Sequence, residues 1–275
     1  MENTYRLSVG QKILGKNYKW WFLVKNKYKS SSANFFTFIF NTTIRAVEFL
    51  AIILIWKLNN SASSIITYLA IGRVFGRLLF TEIDGQVMSD ITRGNLTKYL
   101  ILPSNLFKYY IFDDIGFNLI RSFVNSVIIF ILALVLFQQD ILLNFNFIYL
   151  FPFFILAFFI RTFYSFLFGS IGFWSKDNAN SNSLVQACQM VAGLLSGEII
   201  PLFILANYGL GFLSFSPFAF LLHHPMQVYL GKYSPVETFY ALLGGLFWSI
   251  ALYFLADFVY KKGLKRNEEI GRAHV

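Results

Sequence analysis

The sequence predicts an all-α, polytopic membrane protein with six transmembrane helices, an amphipathic interfacial helix near the N-terminus and an outer re-entrant segment before the last span. Three observations predict it. Of the 275 residues 56% are hydrophobic and only 13% are charged, about half the charge of an ordinary soluble domain. Thirty-four phenylalanines are too many for a soluble core of this size. Finally, six apolar segments reach the roughly 20 residues that a helix needs to cross the hydrocarbon: about 35–56, 63–81, 111–137, 147–174, 184–206 and 236–260.

The net charge is +9 and the pI is near 9.5. In a soluble chain that would point to nucleic acid. Here the charge sits in loops and ends, where it sets membrane orientation, and no nucleic-acid partner is expected. The single cysteine, Cys188, excludes an intramolecular disulfide and a cysteine-based metal site. It reads as a small buried apolar residue.

Residues 1–33 are polar and basic and carry no secretory signal pattern. Within this cytoplasmic region Val9–Tyr28 forms an amphipathic pattern. Ile13, Trp20, Val24 and Tyr28 share one face, and Lys12, Lys16, Lys19 and Lys27 another. With Trp20 and Trp21 as anchors, this is a helix expected to lie on an anionic leaflet.

The second span is short and carries Arg73 and Arg77 in its later half, where long side chains reach the headgroups. It also holds a Gly72–Gly76 pair at GxxxG spacing, a weak signal for helix packing. The longest polar break after the N-terminal region follows, at 82–116, with Glu82, Asp84, Asp90, Asp113 and Asp114 beside Arg93, Lys98 and Lys108. It reads as a cytoplasmic loop over 82–110 with a short surface helix, Ile91–Leu102. Ile91, Leu96, Tyr99 and Leu100 lie on one side of it, and Arg93, Asn95 and Lys98 on the other. Pro103 ends it, since proline removes a backbone donor and restricts the residue before it.

An even number of spans puts both termini on one side. With the N-terminus inside, the outer segments hold only Lys57 and Lys232, and the inner ones hold the other loop and terminal basic residues. That asymmetry places both termini in the cytoplasm.

The stretch 199–235 is hydrophobic, yet Pro201, Pro217, Pro225 and Pro235 cut it into pieces too short to span. It is expected to be re-entrant on the outer side, between spans five and six. No repeat and no interdomain linker divides the chain, so 1–268 reads as a single membrane domain. Glu269–Val275, EIGRAHV, matches the in-frame translation of a sequencing adapter. The native chain is therefore expected to have been cut near Glu268 or Glu269, with 269–275 as a non-native tail.

No catalytic motif emerges. GxxxxGK[ST], HExxH and GxSxG are all missing, and His223-His224-Pro225 is adjacent rather than spaced for zinc. No catalytic residue, cofactor site or metal site is expected in this chain. The chemistry that remains is charge inside spans: Arg45 and Glu48 at i,i+3 on the first, Arg121 on the third, Arg161 on the fourth, Glu198 late in the fifth and Asp257 near the inner end of the sixth. Such charges cost at least about 2.5–3.5 kcal/mol at the bilayer centre, so they face protein or water and have partners. Two readings stand. In one they form a structural network, Arg45 with Glu48 and Arg121 or Arg161 sharing the carboxylate. In the other Arg121 or Arg161 faces a translocation path and attracts an anionic headgroup. Glu198, just before Pro201, either gates the outer end of a path or caps a broken helix.

The order of these parts resembles the membrane subunit of a type-2 ATP-binding-cassette (ABC) transporter. ITRGNLTKYLILPS (91–104) is similar to that family's "I..G.L...L..P" loop, and SGEIIPL (196–202) to its "SG..IPL" break. Pro217-Phe218, Pro225 and YLG (229–231) are similar to its "PF…P…Y.G" stretch. The resemblance covers about 8–265.

It implies a transport subunit that is not itself an enzyme, in a bacterial-type plasma membrane. It implies a second permease copy or paralogue as partner, and a separate ATPase subunit that binds ATP and Mg. Ile91, Arg93, Gly94, Leu96, Lys98, Tyr99, Leu100 and Pro103 would form the coupling element that receives the ATPase stroke. The segment around Gly197, Pro201, Pro217 and Pro225 would close the outer exit. Export is the usual direction.

Two alternatives compete. An ATP-independent channel or secondary transporter would use Arg121, Arg161 and Glu198 as path residues, but the chain has no inverted repeat. An intramembrane lipid-modifying enzyme would need a reactive cluster that the sequence lacks.

Overall fold

The computed structural model describes residues 35–58, 63–95, 106–137, 148–175 and 178–273. Every regular element among them is helical. In order they are α1 (Phe35–Leu58), α2 (Ser63–Leu78), α3 (Ile83–Thr92), α4 (Leu106–Phe137), α5 (Leu150–Gly169) and α6 (Asn178–Ser196). Then come α7 (Leu202–Leu205), α8 (His223–Tyr229) and α9 (Pro235–Ala273). A tight turn, Ser170–Trp174, extends α5, and three distorted turns, Ala206–Leu210, Gly211–Phe215 and Pro217–Leu221, separate α7 from α8. An all-helical chain is what a bilayer demands, since each backbone group must find its partner within its own segment.

Four helices are long and apolar enough to cross a membrane: Phe38–Leu58, Ile120–Phe137, Leu150–Trp174 and Pro235–Arg266. α2 and α3 qualify together as a fifth span, bent by 42° at the break between them. The expected six are thus four or five among the described residues. The segment expected at 184–206 is not one apolar rod. α6 begins earlier, at polar Asn178, and stops at Ser196. Gly197 then takes φ +88°, a left-handed backbone that an L side chain rarely adopts, and Pro201, at ψ 131°, stands outside the helix that restarts at Leu202.

The polar break at 82–116 is also redrawn. Residues 83–92 are a helix rather than loop, and α4 starts at Leu106 rather than 111. Ile83, Val87, Met88 and Ile91 recur at helical spacing and are all buried. The turn at 93–95 follows. The expected surface helix thus begins where α3 ends, and Ile91 faces the core instead of a partner.

α9 runs along α5 in the most extensive pairing of the fold. α3 lies across α5 and the Ser170–Trp174 turn, while α1 and α4 pack against α2. The seam around α5 and α9 is aromatic. Phe166 meets Phe107 at 4.2 Å and Tyr260 at 5.2 Å, and Phe163 meets Tyr253 at 5.3 Å between ring centroids. Each such pair adds about 0.5–1.5 kcal/mol beyond its burial. Where α3 crosses α5 the backbones nearly touch. A Cβ at Gly169 would sit 2.7 Å from both the Asp84 carbonyl and the Val87 Cβ.

α9 opens on a capping box. The Ser234 hydroxyl accepts the Glu237 N–H at 3.3 Å, and Glu237 Oε2 accepts the Ser234 N–H at 2.7 Å. Pro235 occupies the first helical position, where its missing N–H costs nothing.

Pro201 and Pro217 stand at the ends of short pieces, as their chemistry requires. Pro225 does not divide the chain. It lies in the first turn of α8, where no intrahelical donor is needed. The 217–221 turn packs on α5 and α6, and α8 packs on α5 and α2, so this stretch folds back into the core. The expected interfacial helix Val9–Tyr28, with Trp20 and Trp21, lies outside the described residues.

Candidate functional site

A cavity of about 860 Å³ opens between the α2–α3 pair, α1, α5 and α6, with Leu221 and Leu222 at one wall. Its lining is polar for a membrane protein. Arg45, Arg73, Arg77 and Arg161 face Glu48, Glu82, Asp84 and Glu198, with Asn182, Gln186, Gln189, Ser89 and Ser196 among them.

Two links cross it. Arg73 on α2 forms an ion pair with Glu198, just beyond α6. Gln189 on α6 donates from Nε2 to Asp84 Oδ2 on α3 at 2.6 Å. Both halves of the broken span are thereby tied to α6. Below the break, Asp114 Oδ1 on α4 accepts the Glu82 N–H at 2.9 Å and the Asn118 amide at 2.7 Å. Asp90 on α3 accepts the Tyr110 hydroxyl at 3.0 Å. Acidic residues that look like loop in the sequence therefore fix the start of α4 against α3.

Three of the arginines lie against aromatic faces. The guanidiniums of Arg45 and Arg77 lie 5.1 Å and 4.5 Å from the centre of the Phe80 ring, and Arg161 lies 5.9 Å from that of Tyr164. Cation–π contacts of this kind contribute about 0.5–2 kcal/mol each, more where water is excluded.

The predicted residues divide accordingly. Arg45, Glu48, Arg161 and Glu198 meet at the cavity. Arg121 does not line it, and its charge acts on Glu82 instead. Arg45 lies in the field of Glu48 but closes no ion pair with it. The long-range ion pair runs between Arg73 and Glu198, so Arg73 does not reach for headgroups. Gly72 packs against Leu222, 3.0 Å from an added Cβ, and Gly76 meets nothing, so their GxxxG spacing marks no helix crossing. Cys188 is half-buried.

Of the coupling residues, Ile91 is buried while Arg93 and Gly94 are exposed on the turn after α3. Leu96, Lys98, Tyr99, Leu100 and Pro103 lie outside the described residues. Asp84 and Gln189 were not singled out in the sequence. The period of Ile83, Val87 and Ile91 was the available signal, because it makes 83–92 a helix whose buried side includes Asp84.

Residues 34–271 match the family model described as ABC-2 family transporter protein. The chain belongs to the ABC-2 transporter family. It is a membrane permease subunit of a type-2 ABC transporter, and the resemblance carried by 91–104 and 196–202 is thereby confirmed at the level of the family. No curated protein matches the chain. In an ABC-2 permease the bent α2–α3 pair acquires a context: α3, which lines the cavity, ends at the exposed turn of Arg93 and Gly94.

Proposed function

We propose that this permease forms the translocation path of an ATP-driven exporter, working as a dimer with a second copy or a paralogue in a bacterial-type plasma membrane. A separate ATPase subunit binds ATP and Mg and docks from the cytoplasm, where both termini lie. The supporting observation is the wiring of the broken span. The turn at 93–95 follows α3 directly, and α3 is bonded across the cavity to α6 through Asp84 and Gln189. A push on Arg93, Gly94 and the residues after them rotates α3 about its bend with α2. That motion strains the Asp84–Gln189 and Arg73–Glu198 links and widens the cavity. Arg45, Glu48, Arg161 and Glu198 then act as path residues. The 197–225 stretch, with Gly197, Pro201, Pro217 and Pro225, closes the path at Leu221 and Leu222 on the outer side.

The test is purification of the tagged chain from its native membrane, followed by an ATPase assay on what accompanies it. A P-loop protein should co-purify. Gly94→Pro and Leu100→Asp should each separate ATP hydrolysis from transport while leaving insertion intact. Substrate flux through liposomes containing this chain alone would replace the exporter with an autonomous channel.

A further inference from the structure

The cavity's charges pair unequally. Glu198 is bonded to Arg73. Glu48 is the largest opposite charge acting on Arg45, and Arg121 the largest acting on Glu82. Asp84 is occupied by the Gln189 amide, with Arg161 only in its wider field. Among the described residues Arg77 and Arg161 form no ion pair with a carboxylate. The charges acting on Arg77 include three other guanidiniums, Arg45, Arg161 and Arg73, against the carboxylates of Glu198 and Glu82.

The same two residues are short of hydrogen bonds. The Nε atoms of Arg77 and Arg161 are buried and have no partner among the described residues. A buried donor left unmade costs about 1–3 kcal/mol, and both side chains, one on α2 and one on α5, line the cavity. Phe80 lies against Arg77 and Arg45, which limits how far either guanidinium can turn away. A guanidinium presents Nε–H and Nη–H as a planar fork, and that fork matches two oxygens of one tetrahedral anion. The cavity lining also includes Val185, Met190, Leu221 and Leu222, an apolar surface for whatever the anion is attached to.

We infer that Arg77 and Arg161 form a subsite for a phosphate group, carried on an amphiphile or free in solution, within the cavity. The inference deepens the transport reading and rests on it for the meaning of the ligand as cargo. Binding itself needs no ATPase, so it can fail while ATP coupling survives, and the reverse.

The test uses the full chain in a phosphate-free maltoside detergent, with radiolabelled dodecyl phosphate as probe and scintillation proximity as readout. Saturable binding is expected. Arg77→Gln and Arg161→Gln should each weaken it about tenfold or more, the scale of a lost charge-assisted bond, while Lys261→Gln leaves it unchanged. Displacement by inorganic phosphate at similar concentration assigns the site to the free anion. Displacement only by unlabelled dodecyl phosphate assigns it to an amphiphile. Because either variant can misfold, the unmutated chain is also treated with phenylglyoxal and mapped by mass spectrometry. Dodecyl phosphate should shield Arg77 and Arg161 from modification. Absence of saturable binding, or equal modification with and without the ligand, overturns the inference.

Discussion

The α5–α9 seam and the wall between the α2–α3 pair and α6 are built on opposite principles. The seam is a run of interlocked rings, Phe107, Phe163, Phe166, Tyr253 and Tyr260, with no charge among them. The wall lines the cavity and, among the described residues, is joined by one ion pair and one amide–carboxylate bond. Close packing has many small contacts and no alternative arrangement of similar energy. A few polar links can be broken and remade against water or a ligand at little net cost. The contrast teaches that one part of this permease is frame and the other is hinge, and each part can be challenged separately.

The frame should give the largest effect. Phe166 is 1% exposed, and Phe166→Ala should cost about 3–5 kcal/mol, read as a fall in the unfolding midpoint in detergent. The junction between the two regions responds to acid. α8 packs on both α5 and α2 and carries His223, whose imidazole is lowered by burial to about 3, with the neighbouring His224 adding to the shift. A histidine lowered in the folded state contributes stability that is complete above its unfolded value near 6.5 and is lost as the pH falls towards 3. At about 1.4 kcal/mol per unit the loss reaches about 2–3 kcal/mol by pH 4.5, and His223→Gln should flatten that part of the stability–pH curve.

Reversing one end of the hinge should cost less stability and more function. Arg73 and Glu198 are 15% and 36% exposed, so Arg73→Glu should destabilise by roughly 1–2 kcal/mol, between the surface and buried limits. The same change should abolish transport, and the double reversal with Glu198→Arg should restore part of both. If the double variant transports no better than either single one, the pair is not the link. The smallest effect belongs to the exposed pair within α9. Lys261 Nζ lies 2.6 Å from Asp257 Oδ2 at i,i+4, and Lys261→Ala should leave the unfolding midpoint unchanged within the error of a thermal melt, since solvent screens an exposed pair.

The frame was legible in the sequence because it is made of length and composition. The apolar runs beginning near 35, 147 and 236 became α1, α5 and α9. The hinge was not, because its elements contradict their own composition. α3 carries Asp84 and Asp90 and looks like loop until the spacing of Ile83, Val87 and Ile91 is given precedence. α6 begins in the polar run after Lys176, so a window sensitive to hydropathy finds only its later part. Of the charged residues singled out, Arg45, Glu48, Arg161 and Glu198 line the cavity and Arg121 does not, and Glu198 pairs with Arg73 instead of any of them. An i,i+3 relation between Arg45 and Glu48 is visible in a sequence, while an ion pair between residues 125 positions apart depends on how the spans pack. Pro225 misled for a related reason, since a proline in the first turn of a helix and one in a chain break read alike.

One ring fastens three pieces of chain near the start of α9. His224 Nε2 meets the Ser214 carbonyl at 2.9 Å, an oxygen that only accepts, so this nitrogen carries the proton. In the neutral ring Nδ1 must then accept from the Tyr233 hydroxyl, 2.8 Å away. Trp248 adds a tie from α9 to the Phe215 carbonyl at 3.0 Å. Segments that share a clamp of this kind open together or not at all. In deuterium exchange, residues 211–234 should therefore take up label as a single slow unit, and Tyr233→Phe should split that unit into separately opening parts.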